Sequence, residues 1–438
     1  MASQRSVEAP GTEGRVVPTT PGCPHASLAD EFRPFDLADP FPFLARARAE
    51  APVFYSPELD FWVVTRYEEM RAIFLDPQTF SSENTQTPFR ERPPAVQRVL
   101  DDGGFSGFSG LSARQPPDHT RIRAFVQKAF TPKRIALLEP DIRALTVSMI
   151  ERFEKRGRAD LVGELVYELP ALVIFILLGI PEEDVPRVKQ WAQSRVYLNF
   201  GDLPVEEQLH HAENLVRYWT YCEELVEART REPRDDLPGA LVRIYQEGDR
   251  SITKHEIASL VYGMLTAGHE TTTNLLANGF VELLRDRDQW EALRAEPGLI
   301  PGAVEELLRT GPSVFAWKRK VKKPARIGDS DIPVGANVLL LIGSANRDER
   351  VFADPERLDV RRQNADDHLS FGLGIHYCLG NALARLETRV VLEELTARLP
   401  DARLCADQVF TYPPTTFRGP TSVWVEWGVS EALTGPPE

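Results

Sequence analysis

Ten residues, Phe371-Gly372-Leu373-Gly374-Ile375-His376-Tyr377-Cys378-Leu379-Gly380, constrain this chain more than any other stretch. They follow the pattern Phe-Gly-x-Gly-x-His-x-Cys-x-Gly and run directly into a helix-like segment, Leu379–Leu395. Glycines at this density let a backbone pass close beneath a flat body, and amides around a sulfur can donate hydrogen bonds that tune its electron donation. A helix N-terminus just beyond the cysteine adds partial positive charge, which favours thiolate over thiol. The segment reads as a lone thiolate ligand suited to a haem iron, rather than as a buried structural cysteine.

The remainder of the chain is compatible with one large domain built around such a site. No Ser/Gly linker, internal repeat or abrupt compositional shift follows residue 35 in the 438 residues, and an apolar share of 42% supports a sizeable core. Residues 1–30 read as a flexible Pro-rich N-terminal arm, 31–430 as the body and 431–438 as a C-terminal tail. The longest apolar run, Leu169–Ile180, contains a proline and is too short to span a bilayer. Residues 1–22 lack the apolar core of a signal peptide. Cysteines at 23, 222, 378 and 405 show neither disulfide nor metal spacing, which fits a reducing cytoplasm. A net charge of −14 argues against nucleic acid as a partner.

Periodicity predicts many helices and few strands. Amphipathic patterns cover 119–130, 134–156, 163–180, 184–200, 206–232, 254–285 and 300–310. Pro52–Arg66 reads as a hairpin, with further strands at 314–322, 325–328, 337–341 and in the tail 415–427. The fold class is thus mainly α with small β-sheets. The helix from Lys254 begins at a capping box, Thr253 with Glu256, and its apolar stripe continues to about Arg285. Its middle, Ala267-Gly268-His269-Glu270-Thr271-Thr272-Thr273, is a poor helix former costing up to about 2 kcal/mol. A local rule broken inside an apolar helix suggests a functional site. Gly268 would permit close approach of a ligand, and a Thr hydroxyl can bond back to the carbonyl four residues earlier.

Several charged residues ask for partners. His119 and Arg123 share a helix face that continues through Ile122, Phe125 and Val126, so they call for a buried anion. Arg319 alternates with Val321 along a strand, which turns an arginine inward. Glu306 and Arg309 lie three apart on one helix. Lys318, Lys320, Lys322, Lys323 and Arg326 form a basic patch, either a strand edge protected by lysines or a docking surface for an electron donor.

The cysteine loop resembles the haem-binding loop of the cytochrome P450 superfamily, and the resemblance extends over roughly residues 30–430. It implies a single domain with haem b buried between two long helices, Cys378 as the iron ligand, and Phe371, Gly372, Ala267 and Gly268 around the cofactor. By the same resemblance Thr271 and Glu270 match the oxygen-activating motif, as hydroxyl and proton relay. His119, Arg123, Arg319 and His376 would hold the haem propionates, and Glu306, Arg309 and Arg357 would form a buried structural network. The substrate pocket would draw on the loop 84–112, with Phe89, Phe105, Phe108 and Leu111, on the stretch Trp191–Phe200, and on Val314, Phe315, Thr416 and Phe417, a lining that favours an apolar or aromatic small molecule. The implied activity is a monooxygenase using O2 and two external electrons for hydroxylation or O-dealkylation. A peroxide-driven peroxygenase and a non-catalytic haem sensor are the rival readings.

The segments Ala316–Arg319, Ser344–Arg350 and Thr416–Val425 look like the haem domains of self-sufficient, reductase-fused bacterial members. The sequence carries neither a flavin fingerprint nor an iron–sulfur cysteine quartet. Electrons would therefore come from a ferredoxin and its reductase, or from a flavin/iron–sulfur reductase domain absent from these residues. Thiolate ligation makes a spectroscopic prediction. The carbon monoxide adduct of the reduced protein should absorb far to the red of a His-ligated haem, and Cys378→His should abolish that band; a band that survives the substitution would remove Cys378 from the iron.

Overall fold

Thr253 and Glu256 cap the central helix as the sequence indicates: the Glu256 amide donates to the Thr253 hydroxyl at 3.2 Å, and the Thr253 amide donates to the Glu256 carboxylate at 2.8 Å. The helix then runs unbroken over Lys254–Arg285. The structure, a computed structural model, describes residues 26–106 and 110–428. Around the central helix pack Leu169–Leu178, Val185–Phe200 and Val205–Arg231 on one side, and Ile300–Thr310 and Asn381–Arg398 on another. The protein is mainly α-helical with small sheets. Among the described residues no helix is long and apolar enough to cross a membrane.

Prolines divide the longer expected helices. Pro132 and Pro140 each sit in a first helical turn, where a missing amide costs little, so 134–156 resolves into Pro132–Ala136 and Glu139–Glu151. Leu237–Gln246 and Arg287–Ala295 were not anticipated, although Asp236 caps the first of them through the Gly239 amide at 2.7 Å. Within the stretch expected to be a flexible arm, Ala26–Glu31 is helical and Leu28 is buried. Residues 1–25 and the tail 431–438 lie outside the described residues.

The main sheet has the strand order Val53–Ser56, Phe61–Val64, Asn337–Leu340, Trp317–Val321, Phe80–Ser81. Its hairpin pairs Val53 with Val64, and its centre pairs Phe61 with Asn337 in parallel. Both faces of the strand Trp317–Val321 are covered. Arg319 and Val321 are buried on one face, and Lys318, 1% exposed, is buried on the other. This corrects the expected basic patch: Lys318 does not belong to it, because the rings of Phe89 and Phe200 lie under its ammonium at 4.2 and 4.9 Å. In the tail only Trp424–Glu426 is a strand; Thr415 and Phe417 form single bridges to Gly201 and Val314.

Adjacent carboxylates on Ile300–Thr310 turn in different directions. Glu306 and Arg309, both fully buried, make a two-bond pair at 2.7 and 2.8 Å. The third member is Arg362, whose Nε reaches the Glu306 carboxylate at 3.0 Å. Arg357, expected in this role, is instead exposed and contributes only its backbone carbonyl to Arg309, at 3.1 Å. Its side chain points to water because the chain turns after Leu358 and brings Arg362 back onto the helix. The two arginines should therefore separate in stability measurements. Arg362→Ala should cost about 1–3 kcal/mol in urea unfolding by leaving a buried carboxylate under-satisfied, whereas Arg357→Ala should stay within about 0.5 kcal/mol. The reverse order would restore Arg357 to the network.

Candidate active site

Backbone geometry builds the cysteine loop first. Gly372 and Gly374 have φ of +65° and +69°, and a Cβ on Gly374 would stand 2.8 Å from the Phe74 carbonyl oxygen. Only glycine meets both demands at that position. The Cys378 amide donates to the Phe371 carbonyl at 2.9 Å, closing the loop, and Asn381 Nδ2 donates to the Cys378 carbonyl at 2.7 Å. Arg385, one turn into the helix Asn381–Arg398, lies over the Phe371 ring at 4.7 Å and binds Glu305 at 2.7 Å. Burial pushes the Cys378 thiol up, against the pull of the Gly380 amide, Arg123, Arg385 and the Asn381 amide. A thiol so placed is deprotonated outright on coordinating a metal cation.

Cys378, Phe371 and Gly372 line a cavity of about 330 Å³ whose walls also include Ala267, Gly268 and Thr271 of the central helix. Arg123, Arg319 and His376 line it as well. Arg319 is buried yet donates only to the carbonyl of Lys318, at 2.8 Å, and neither it nor Arg123 has a carboxylate partner among the described residues. Burial lowers Arg319 to about 10. His119 is buried with both ring nitrogens unpartnered, its ring 4.2 Å from that of His376. It stands behind His376 rather than in the wall. Burial, with Arg123 adding to it, lowers His119 to about 4; burial, then His119, Arg319 and Arg123, lowers His376 to about 3. Two guanidinium groups, Arg319 buried and Arg123 half-buried, and two imidazoles without anions fit a flat cofactor with two carboxylate arms, and a lone Cys lining the same cavity fits its metal.

On the central helix, the Thr271 hydroxyl donates to the Ala267 carbonyl at 2.7 Å. Gly268 borders the cavity, but a Cβ there would also stand 2.8 Å from Ile174, so close helix packing as well as ligand space requires the glycine. Glu270 does not line the cavity. It lies 3.8 Å from His269 Nε2, and burial raises it to about 7, opposed by Lys189.

Of the expected pocket residues, Leu111, Val314 and Phe417 line the cavity, and Phe200 from the stretch 191–200 joins them. Four expected residues do not. Phe315 and Thr416 neighbour lining residues in extended chain, where alternate side chains face away; Phe315 packs against Phe41 instead. Phe89 sits with Phe35 and Phe61, and Phe105 with Trp219 and Tyr262. Phe108 lies outside the described residues. Gln86 and Arg195 in the wall fall within the expected loop 84–112 and stretch 191–200 without being singled out there, whereas Glu387 lies outside every expected segment. Arg195 carried a signal: it falls on the buried stripe Val188, Ala192, Arg195, Asn199 of one helix. Burial pushes the unpartnered Glu387 carboxyl well up.

A family model for Cytochrome P450 matches residues 207–398. The chain is 37% identical over 400 residues to cytochrome P450 monooxygenase PikC of Streptomyces venezuelae, covering 89% of this chain and 91% of that one. Among solved structures it is similar to cytochrome P450 CREJ in complex with (4-ethylphenyl) dihydrogen phosphate, with a TM-score of 0.89 at 47% identity, over 91% of this chain and 100% of the other. It is also similar to full-length CYP116B46 from Tepidiphilus thermophilus, with a TM-score of 0.88 at 36% identity, over 92% of this chain and 54% of that longer one.

The raised Glu270 carboxyl has a measurable consequence. The folded protein holds its proton to about pH 7, whereas the unfolded chain releases it near 4.5. The proton's contribution is complete below the lower value and disappears as pH rises through the upper one, a loss of up to about 3 kcal/mol. Urea unfolding of Glu270→Gln should lack this slope, so the variant gains on the parent between pH 5 and pH 8. Equal slopes in both proteins would put the Glu270 carboxyl in water.

Proposed function

The chain belongs to the cytochrome P450 family and is a haem b monooxygenase; from that premise we propose that Cys378 is the axial thiolate, that Thr271 and Glu270 manage protons, and that the substrate is a small molecule with an apolar or aromatic body. The observation that carries this reading is one cavity bordered both by Cys378 and by Ala267, Gly268 and Thr271. Arg123, Arg319, His119 and His376 suit the two propionates. When bound, the haem supplies the oxygen-activating chemistry.

The chain's own contribution is orientation, exclusion of water and control of protons. Phe200, Trp317 and Phe417 make an aromatic wall, with Trp317 and Phe200 stacked at 5.6 Å. The structural neighbour solved with (4-ethylphenyl) dihydrogen phosphate adds support for an aromatic body. The Thr271 hydroxyl, its hydrogen committed to the Ala267 carbonyl, leaves its oxygen free to accept a proton-bearing group in the cavity. Glu270 behind it, with an affinity near neutrality, is suited to exchange protons with Lys189 and the surface. Hydroxylation and O-dealkylation both fit such a site.

The enzyme requires O2 and an electron-transfer partner. A ferredoxin with its reductase, or a flavin/iron–sulfur reductase, would serve. Lys320, Lys322, Lys323 and Arg326 remain as the candidate docking patch, but Lys322 is paired with Glu83 at 3.0 Å and Arg326 with Asp331 at 3.4 Å. That pairing favours the strand-edge explanation.

Monooxygenation and the peroxide-driven alternative part at Thr271. In Thr271→Ala, substrate binding should be near normal and electrons should still be consumed. Product per electron should fall several-fold with a matching rise in hydrogen peroxide; a positioned proton-transfer group is worth about a hundredfold in rate, and water replaces part of it. Added hydrogen peroxide should restore much of the product. Full coupling in the variant would remove Thr271 from proton delivery.

A further inference from the structure

Three cations lie close together beyond the aromatic wall, and none of them has a carboxylate partner among the described residues. Arg195 lines the cavity, with Nη2 donating to Gln86 Oε1 at 2.9 Å and its guanidinium 4.7 Å from the Tyr262 ring centre. Its Nη1 lies 3.9 Å from where a Cβ on the cavity-lining Gly263 would stand. Four residues along the same helix, Asn199 collects the other two: its Oδ1 accepts from Arg92 at 2.8 Å, and its carbonyl accepts from Lys318 at 3.3 Å. Lys318 also donates to the Thr87 carbonyl. Arg195, Lys318 and Asn199 are all buried, and Arg92 Nε is buried without a partner.

Such an arrangement is expensive unless an anion completes it. Neutral acceptors and aromatic faces recover only part of the hydration that three cations lose. Burial, with Arg92 adding to it, lowers Lys318 to about 7. These cations are separate from the four groups assigned to the propionates, which stand on other residues, and no step of the monooxygenase reading uses them. Arg195, Gln86 and Phe200 bring the cluster to the cavity wall.

We propose that this cluster is the seat for an anionic head group on the substrate, a phosphate monoester attached to the aromatic body, with Arg195 as the direct contact and Lys318 and Arg92 supplying the field. The proposal rests on the monooxygenase reading of the same cavity and sharpens it: the apolar wall holds the part to be oxidised while the head group fixes its distance from Cys378. The Arg195 guanidinium spends Nη2 on Gln86 and keeps Nη1 for a charge-assisted hydrogen bond to a phosphate oxygen. A phosphate monoester matches more of the excess positive charge than a carboxylate does.

Isothermal titration calorimetry of the haem-loaded enzyme with phenyl phosphate, benzoate and phenol tests this without reference to turnover. Phenyl phosphate should bind at least tenfold more tightly than phenol, with benzoate between them, and inorganic phosphate should compete with phenyl phosphate and benzoate but not with phenol. Arg195→Gln should weaken phenyl phosphate on the order of tenfold to a hundredfold and leave phenol unchanged; Lys318→Met should act in the same direction, and Arg195→Lys should recover part of the loss. Phenol binding as tightly as phenyl phosphate, equal weakening of both in Arg195→Gln, or binding of neither by the parent would each overturn the proposal. The unsubstituted enzyme decides the first and last of these even where a variant fails to fold. Tight phosphate binding that leaves the haem visible spectrum untouched would uphold the anion seat and count instead against the shared-cavity reading of the substrate site.

Discussion

Glu305 and Glu306, adjacent on the helix Ile300–Thr310, tie down different segments: Glu305 the residues flanking the cysteine loop, and Glu306 the chain around Arg362. Glu305 grips Arg385 at 2.7 Å and His368 at 3.2 Å, one on either side of the loop Phe371–Gly380. Glu306 grips Arg309 and Arg362, and Arg309 in turn reaches the carbonyls of Asn346, Pro355 and Arg357. Desolvating so many charges contributes little net stability, but it penalises every arrangement in which one of them loses its partner. The result is a loop with essentially one permitted position, and Cys378 is carried to it by backbone constraints rather than by contacts of its own.

Around that fixed point the electrostatics run opposite to those of the whole molecule. The chain carries a net charge of −14, yet the carboxyls nearest the cavity, Glu387 and Glu270, are both pushed towards the protonated form by burial. The cations at its edge, Arg123, Arg319, Arg195 and Lys318, keep no carboxylate among the described residues. An interior of this kind leaves positive charge without carboxylate partners at two places, one near His376 and one beyond Phe200. A ligand with a charged end and an aromatic end would be oriented there before any chemistry begins.

The central helix shows how one residue can serve packing and chemistry together. Gly268 admits Ile174 on one side and borders the cavity on the other, so its poor helix propensity is offset by close approach of two helices. Thr271 bonds back within the helix at 2.7 Å without breaking it, since Lys254–Arg285 is continuous. The irregular composition marks a working surface rather than a kink.

What the sequence determined by itself were the features written in local backbone chemistry. The capping box fixed the start of the central helix, the glycines fixed the cysteine loop, and alternation located the hairpin Val53–Val64 and the inward Arg319, because each depends on residues within a few positions of one another. Only the tertiary structure decided which of two similar neighbours does the work. Arg362 rather than Arg357 completes the buried pair, since the turn after Leu358 settles which arginine returns to the helix. Val314 and Phe417 rather than Phe315 and Thr416 face the cavity, since the strand's rotation is set by its partners. Lys318, which in sequence resembles Lys320 and Lys322, is buried because Phe89 and Phe200, distant in the chain, cover its face of the sheet. Long side chains have no fixed address along the chain; the partners that desolvate them assign it.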